Sequence, residues 1–170
     1  VWIAGRIAVT FSADIGWLTA FLIDSSFLML VAAAAAREIL AGKNWRNLQI
    51  VVLIVLLLAG NIVFHVEAHM NGAADYSIRV GIAVVILLIS LIGGRIIPSF
   101  TRNWLVREKP GRLPSPFGRI DVVIVAITAL VLLVWIVRQD GPFVGTALAL
   151  VGLLHLVRLG RWAGNRTLGE

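Results

Sequence analysis

Long apolar runs separated by short polar connections make up most of this 170-residue chain. A helix that crosses the hydrocarbon core of a bilayer, about 30 Å thick, needs about 20 predominantly apolar residues. Five runs meet this requirement, and their predicted bounds are residues 15–36, 48–70, 76–98, 120–137 and 143–159. The pattern therefore predicts an all-α fold, a polytopic transmembrane helix bundle of about five antiparallel helices joined by short loops.

Basic side chains are distributed unevenly between the connections. Three short segments, residues 37–46, 95–119 and 158–166, contain 12 of the 15 Lys and Arg residues. The connection over residues 71–76 contains none. Because basic loops of membrane proteins stay on the cytoplasmic side, the first span is predicted to start outside and reach the cytoplasm. Residues 99–119 are then predicted to form a basic cytoplasmic linker.

Composition agrees with a membrane protein. Hydrophobic residues make up 59% of the chain and charged residues 14%, whereas soluble domains have about 25% charged residues. The net charge of +6 comes from residues that flank apolar runs, so we assign it to anionic lipid headgroups and not to nucleic acid. The chain has no cysteine, which excludes disulfides, iron–sulfur clusters and thiolate metal ligands.

The ends of the sequence look like internal positions of a longer chain. The first ten residues, from Val1 to Thr10, resemble the end of an apolar helix that began upstream. The last four, from Thr167 to Glu170, follow a helix without a clear stop. We therefore expect residues 1–170 to be a single membrane domain that is part of a longer protein.

Polar side chains within the spans are the default candidates for function, because the membrane interior penalises them unless they are paired. Asp24 lies about ten residues into the first span. Asn61, His65 and His69 recur every four residues of the second span and therefore share one helix face. Asp24 and Asn61 have similar predicted depths, so we expect these two side chains to meet across neighbouring helices.

The three histidines are the candidate metal ligands. His65 and His69, one helical turn apart, have the spacing with which two imidazoles share one metal ion. Glu67 stands at the third position and not the second, so this is not the zinc-protease motif. The alternative is that His69 lies at the wet interface while His65 bonds a neighbour. His155 is predicted roughly 10–20 Å away along the membrane normal, and it belongs either to a second site or to the fold.

The end of the third span places glycines and a proline around an arginine. Gly93 and Gly94 permit close backbone approach, and Pro98 frees a carbonyl one turn earlier. Arg95 is predicted to reach a carboxylate, a haem propionate or a headgroup, or else to snorkel beside a proline that ends the helix. Arg158 and Arg161 are candidates to bind haem propionates or lipid phosphates, of which lipid is the commoner partner.

Residues 93–101 resemble the signature of the NnrS family of bacterial inner-membrane proteins. The residues that match are Gly93, Gly94, Arg95, Pro98 and Thr101. The histidine-bearing face of the second span and the terminal residues 166–170 also fit this family, whose members are longer. The resemblance implies a multi-pass protein that holds haem and copper and helps cells withstand nitric oxide. Its candidate metal ligands here are His65, His69 and His155, with Arg95 as a further cofactor contact.

Two other functions remain open from the sequence. One is a transporter or channel whose polar pathway runs past Asp24 and Asn61. The other is a non-catalytic subunit that docks partners through Arg107, Lys109 and Arg112. The sequence contains no nucleophile elbow, phosphate loop or paired catalytic carboxylates. Whether the protein is an enzyme is left undecided.

Overall fold

The computed structural model describes residues 1–108 and 111–167, so Lys109, Pro110 and residues 168–170 of the predicted segments lie outside the described residues. The described residues form seven α-helices and two 3₁₀ turns, with no strand among them. The helices are α1 Trp2–Thr10, α2 Ser12–Ile15, α3 Trp17–Ala41, α4 Leu48–Asn71, α5 Asp75–Glu108, α6 Arg119–Val137 and α7 Pro142–Gly160. The 3₁₀ turns are Trp45–Asn47 and Gly164–Thr167. The predicted all-α fold is confirmed.

Helices α3 to α7 are long and apolar enough to cross a membrane. The second of these candidate spans includes the 3₁₀ turn before α4 and covers Trp45–Asn71. Large apolar side chains are exposed along all five helices, for example Leu22, Ile89 and Leu130. An α-helix satisfies its backbone hydrogen bonds within itself, which is what lipid-exposed backbone requires. The predicted number of spans is therefore confirmed.

Two predicted bounds differ from the structure. The first span continues past Arg37 to the end of α3 at Ala41. The third does not end at Pro98, because α5 continues to Glu108. A proline inside a helix removes one backbone hydrogen bond, yet transmembrane helices tolerate it because other groups satisfy the freed carbonyl. Much of the predicted linker over residues 99–119 is therefore helical, and the interpretation of Pro98 as a helix end was wrong.

Helix ends follow local sequence signals. Gly72, with φ of 72°, closes α4 in the left-handed conformation that glycine adopts without strain. Pro142 stands at the first turn of α7, where its missing N–H group has no helical partner in any case. At the start of α6, Asp121 accepts a hydrogen bond of 3.0 Å from the backbone N–H of Gly118.

The chain divides into two compact units, Val1–Val85 and Ile86–Glu170. In the first unit, α1 and α2 pack against α3, and α3 packs against α4. In the second unit, α6 packs against α7, and α7 contacts the 3₁₀ turn that follows it. The expectation of a single membrane domain stays a prediction.

Candidate functional site

A buried carboxylate lies at the centre of the first unit. Asp24, on α3, is only 6% exposed. Asn61 Nδ2 donates a hydrogen bond to Asp24 Oδ2 at 2.9 Å, and His65 Nε2 lies 3.2 Å from the same oxygen. The other oxygen, Oδ1, accepts a hydrogen bond from Arg6 on α1. The predicted meeting of Asp24 and Asn61 is thus confirmed, and the carboxylate is paired as its depth requires.

Ser25 completes this group of side chains. Its hydroxyl donates to Asn61 Oδ1 at 2.8 Å, so the oxygen of the Asn61 amide accepts from Ser25 while its nitrogen donates to Asp24. This fixes the orientation of the amide. We refer to Arg6, Asp24, Ser25, Asn61 and His65 as the Asp24 cluster.

A glycine makes the contact between α1 and α3 possible. A Cβ atom at Gly5 would lie 2.7 Å from Asp24 Oδ1 and 3.1 Å from Asp24 Cα. Because Gly5 has no side chain, the two helix backbones approach closely, as small residues permit in membrane helix pairs. The neighbouring residue, Arg6, is thereby held within reach of the carboxylate.

A cavity of about 300 Å³ adjoins the Asp24 cluster. Its walls come from α1, α3, α4 and the beginning of α5. The lining combines four polar residues, Arg6, Asp24, Asn61 and Ser77, with apolar ones that include Leu28, Leu57 and Phe64. The first unit therefore places an ion pair with a buried carboxylate beside a space large enough for a small molecule.

The side chain of His65 forms its polar contact within the Asp24 cluster. The ring is buried, and its edges meet Phe21 and Phe64 at centroid distances of 5.6 and 5.4 Å. An ionised carboxylate only accepts hydrogen bonds, so the contact with Asp24 requires a proton on His65 Nε2. That nitrogen consequently has no lone pair to offer a metal ion.

His69 has a different environment one turn further along α4. It is exposed and stacks on Trp17, with ring centroids 4.2 Å apart and planes inclined by 14°. The stacking places His69, in the last turn of α4, beside Trp17 at the start of α3, and its location on the outer side stays a prediction. His65 contacts Asp24, whereas His69 contacts Trp17, so the two imidazoles have different partners.

Glu67, which lies between the two histidines in sequence, joins α4 to α5. Its carboxylate accepts hydrogen bonds from the backbone N–H groups of Tyr76 and Ser77, both at 3.0 Å. It also accepts one from the Ser77 hydroxyl at 2.7 Å. A carboxylate at a helix N-terminus satisfies unpaired N–H groups and complements the helix dipole. Glu67 thus caps α5.

The second unit contains its own buried ion pair. Arg158, on α7, is 1% exposed. Its Nε donates to Asp121 Oδ1 at 2.8 Å, and its Nη2 donates to the carbonyl oxygen of Ser90 at 2.8 Å. We refer to Ser90, Asp121 and Arg158 as the Arg158 cluster. The interpretation of Arg158 as a ligand of lipid phosphates was wrong, because its guanidinium is packed inside the unit.

The Arg158 cluster explains one glycine of the signature. A Cβ atom at Gly94 would lie 1.8 Å from Arg158 Nη2, so no side chain fits there while Arg158 reaches Ser90. At Gly93, a Cβ atom would only contact Ile97 Cδ1 at 3.6 Å, an ordinary distance. Of the two glycines, Gly94 is the one that the packing requires.

Arg95 has an aromatic neighbour. Its guanidinium carbon lies 5.1 Å from the centroid of the Phe117 ring, within the range of a cation–π contact. The same ring lies 5.7 Å from the guanidinium carbon of Arg158. The other two signature residues lie on α5, where Pro98 is buried and Thr101 is half-buried.

His155 bonds within the second unit. Thr128 Oγ1 donates to the carbonyl oxygen of Ile124 at 2.7 Å and lies 3.0 Å from His155 Nε2. A hydroxyl has only one hydrogen, so the proton of the second contact belongs to His155 Nε2. His155 therefore uses this nitrogen to join α7 to α6.

The three histidines that are candidate metal ligands thus make different contacts. His65 and His155 are hydrogen-bond donors, and His69 is stacked on Trp17. Within residues 1–108 and 111–167, no group of three or more His, Cys, Asp or Glu side chains is arranged to hold a metal ion. Their assignment as ligands stays a prediction.

Sequence reasoning missed the partners of both ion pairs. Asp121 and Arg158 lie at similar distances on either side of the hairpin at residues 140–142, and so do Thr128 and His155. Comparing depths across antiparallel helices, which paired Asp24 with its neighbour, would have found both contacts. No comparable signal pointed to Arg6, because α1 is too short to read as a span.

These features define an α-helical membrane protein in which each of two units pairs a buried aspartate with an arginine. A sequence model of the NnrS family, described as NnrS protein, matches residues 1–170, and the chain belongs to this family. It is a membrane protein of a family linked to the response to nitric oxide. No match was found among curated proteins or among solved structures.

Proposed function

We propose that this protein acts in the cellular response to nitric oxide as a multi-pass protein of the bacterial inner membrane. We further propose that the Asp24 cluster and its cavity form the functional site within this chain. The observation that carries the proposal is the family match over residues 1–170. Nitric oxide is small and uncharged, so a cavity with apolar walls between membrane helices is accessible to it.

The surroundings of Asp24 support its choice as the central residue. Its partner Arg6 is 52% exposed, so the ion pair borders open space. The cavity lies against the same two side chains. A buried ionisable group in a span is expensive to maintain and marks a functional position by default. A group needed only for packing would not require the adjoining space.

Haem and copper, which the family resemblance implies, do not fit the imidazoles of this chain as they lie. His65 and His155 direct Nε2 to hydrogen-bond partners, and His69 is stacked on Trp17. Haem and copper binding therefore stays a prediction for the whole protein. An absorption spectrum and metal analysis of the purified full-length protein test it directly, and the absence of both groups would remove them from the proposal.

The proposed role is tested in a strain that lacks the gene and is exposed to a nitric oxide donor. The full-length protein is expected to restore growth, and Asp24→Asn is expected to lose that rescue at equal abundance in the membrane. Asp14→Asn, an exposed carboxylate on α2, is the matched control and should rescue fully. Unchanged growth of the deletion strain under the donor would overturn the role. Full rescue by Asp24→Asn would overturn the assignment of the site.

Transport is the second candidate function, and the cavity beside Asp24 and Asn61 favours it. Under this alternative, the purified full-length protein moves a small polar solute across proteoliposomes. Nitrite, a stable oxidation product of nitric oxide, is a suitable probe. Asp24→Asn should abolish the flux and leave any metal content unchanged. Flux at the level of protein-free vesicles would exclude transport of this probe.

A further inference from the structure

The cavity beside the Asp24 cluster presents hydrogen-bond donors that the protein itself leaves unused. A guanidinium has five N–H donors, yet the only hydrogen bond of the Arg6 side chain within the described residues is the one to Asp24. Asn61 Nδ2 has two hydrogens and uses one of them for Asp24. Arg6 and Asn61 both line the cavity. A ligand that supplies oxygen acceptors would match these donors.

The charges around the cavity favour a neutral ligand. Arg6 and Asp24 are the charged residues among those that line it, and they form an ion pair with each other. Both oxygens of Asp24 already accept hydrogen bonds, so the carboxylate offers little to a cationic ligand. An anionic headgroup would gain little from a cation that is already neutralised by its partner. A carbonyl oxygen on an uncharged molecule suits a cavity whose charges are paired and which still offers hydrogen-bond donors.

The walls of the cavity set the shape of the ligand. Leu28, Leu57 and Ile78 provide apolar surface, and Phe64 provides an aromatic ring. The volume of about 300 Å³ is at the lower end of the range for ligand pockets, about 300–1,000 Å³. This space is large enough to accommodate one substituted ring. Ile78 is exposed, so the cavity borders the surface that faces lipid.

We propose that this cavity binds the ring of a lipid-soluble benzoquinone. One carbonyl oxygen of the quinone accepts hydrogen bonds from Arg6 and Asn61, and the ring lies against the apolar wall that includes Phe64. The apolar tail extends towards the lipid. The proposal concerns binding and stands independently of the nitric oxide response.

The test uses the purified full-length protein in detergent and a photoreactive azido-benzoquinone with a decyl tail. After illumination, mass spectrometry locates the labelled peptides. We expect saturable labelling of α3 and α4 near Leu28 and Phe64, which an excess of unlabelled decyl-benzoquinone abolishes and an excess of phospholipid does not. Labelling confined to other helices would overturn the proposal. So would displacement by phospholipid without displacement by the quinone.

A space-filling variant tests the cavity itself. Gly81 lines the cavity, and a Cβ atom there would meet nothing within 4 Å, so Gly81→Leu fills the space without a clash at the backbone. It should reduce labelling about tenfold or more, the loss expected when about 1.4 kcal/mol of binding free energy is removed. Gly145→Leu is the matched control, since Gly145 is a helical glycine on α7 with equal space that does not line the cavity. Labelling of Gly81→Leu at the wild-type level would overturn the proposal.

A conservative variant tests the donors. Arg6→Lys keeps the positive charge beside Asp24 but replaces a planar fork of donors with a single ammonium group. The ammonium cannot hold the carboxylate and a quinone carbonyl with the same geometry, so labelling should fall about threefold to tenfold. Equal labelling of Arg6→Lys and the wild type would overturn the assigned role of Arg6.

Discussion

Each of the two units pairs a buried aspartate with an arginine, and the pairs differ in what surrounds them. In the first unit, Arg6 is 52% exposed, and the pair borders a cavity of about 300 Å³. In the second unit, Arg158 is 1% exposed and also binds the Ser90 carbonyl. The same chemistry therefore serves two purposes. A pair with open space and spare donors is suited to a ligand, whereas a fully packed pair holds helices together.

Glycine makes both pairs possible, by different routes. At Gly5, the missing side chain lets the backbone of α1 approach Asp24, whose Cα would lie 3.1 Å from a Cβ atom. At Gly94, it leaves room for the guanidinium of Arg158 itself. The first glycine brings two helices together, and the second admits a side chain. Only the second lies in the signature segment, which indicates a structural role for that part of the signature.

The largest effect is expected from Arg158→Met. The change removes the main partner of the buried Asp121 carboxylate, a loss of about 3–5 kcal/mol in protein interiors, and Arg161, 3.6 Å from Asp121, offsets only part of it. The purified protein should unfold at a much lower temperature in detergent. Arg138→Met, at an exposed hairpin position, is the control and should leave the unfolding temperature unchanged. The double variant Asp121→Asn with Arg158→Met should recover part of the loss. Stability of Arg158→Met equal to the control would show that the second pair is not structural.

A smaller effect is expected from Gly94→Ala. The new methyl group would displace Arg158 from the Ser90 carbonyl, at a cost of about 1–3 kcal/mol for the lost charged hydrogen bond. Gly93→Ala is the matched control, because its methyl group meets only an ordinary contact with Ile97. It should be neutral or stabilising by up to about 1 kcal/mol through helix propensity. Thermal unfolding of both variants checks the difference, and equal destabilisation would contradict the packing argument.

Arg6→Met should cost less than either change in the second unit, roughly 1 kcal/mol or below, because exposed ion pairs contribute little. Asn61 and His65 continue to donate to Asp24 after the arginine is lost. The same unfolding measurement applies, with Arg6→Lys as the charge-preserving control. A loss as large as that of Arg158→Met would remove the distinction between the two pairs.

The fold and one contact of the site, that between Asp24 and Asn61, could be predicted from the sequence. The other contacts of this site could not, for physical reasons. Span length depends on apolar residues alone, so the five helices were predictable. The contact between Asp24 and Asn61 was predictable because the two residues have similar predicted depths in the membrane. The inward position of Arg158 was missed because its depth was not compared with that of Asp121 across the hairpin at residues 140–142. Local sequence also did not reveal that α5 continues through Pro98 to Glu108, because a proline ends some helices and lies inside others.

The smallest effects on stability are expected from His65→Gln and His155→Gln. The side-chain amide nitrogen of glutamine takes approximately the place of imidazole Nε2 and donates a hydrogen bond, so each variant keeps its contact with Asp24 or Thr128. Stability should change by less than about 1 kcal/mol, whereas the alanine variants lose the bond and cost about 1–3 kcal/mol. Thermal unfolding of the four variants checks this order.

The same four samples separate hydrogen bonding from metal ligation. Glutamine reproduces the donor but is a poor ligand for haem iron or copper, which take imidazole from a chain without cysteine. If His65 and His155 act as donors, any haem or copper bound by the full-length protein should persist in the glutamine variants. Loss of metal in a glutamine variant whose stability is unchanged would identify that histidine as a ligand. If that histidine were His155, the second unit would also contain a functional site. The two units could then no longer be distinguished as one that binds a ligand and one that is only structural.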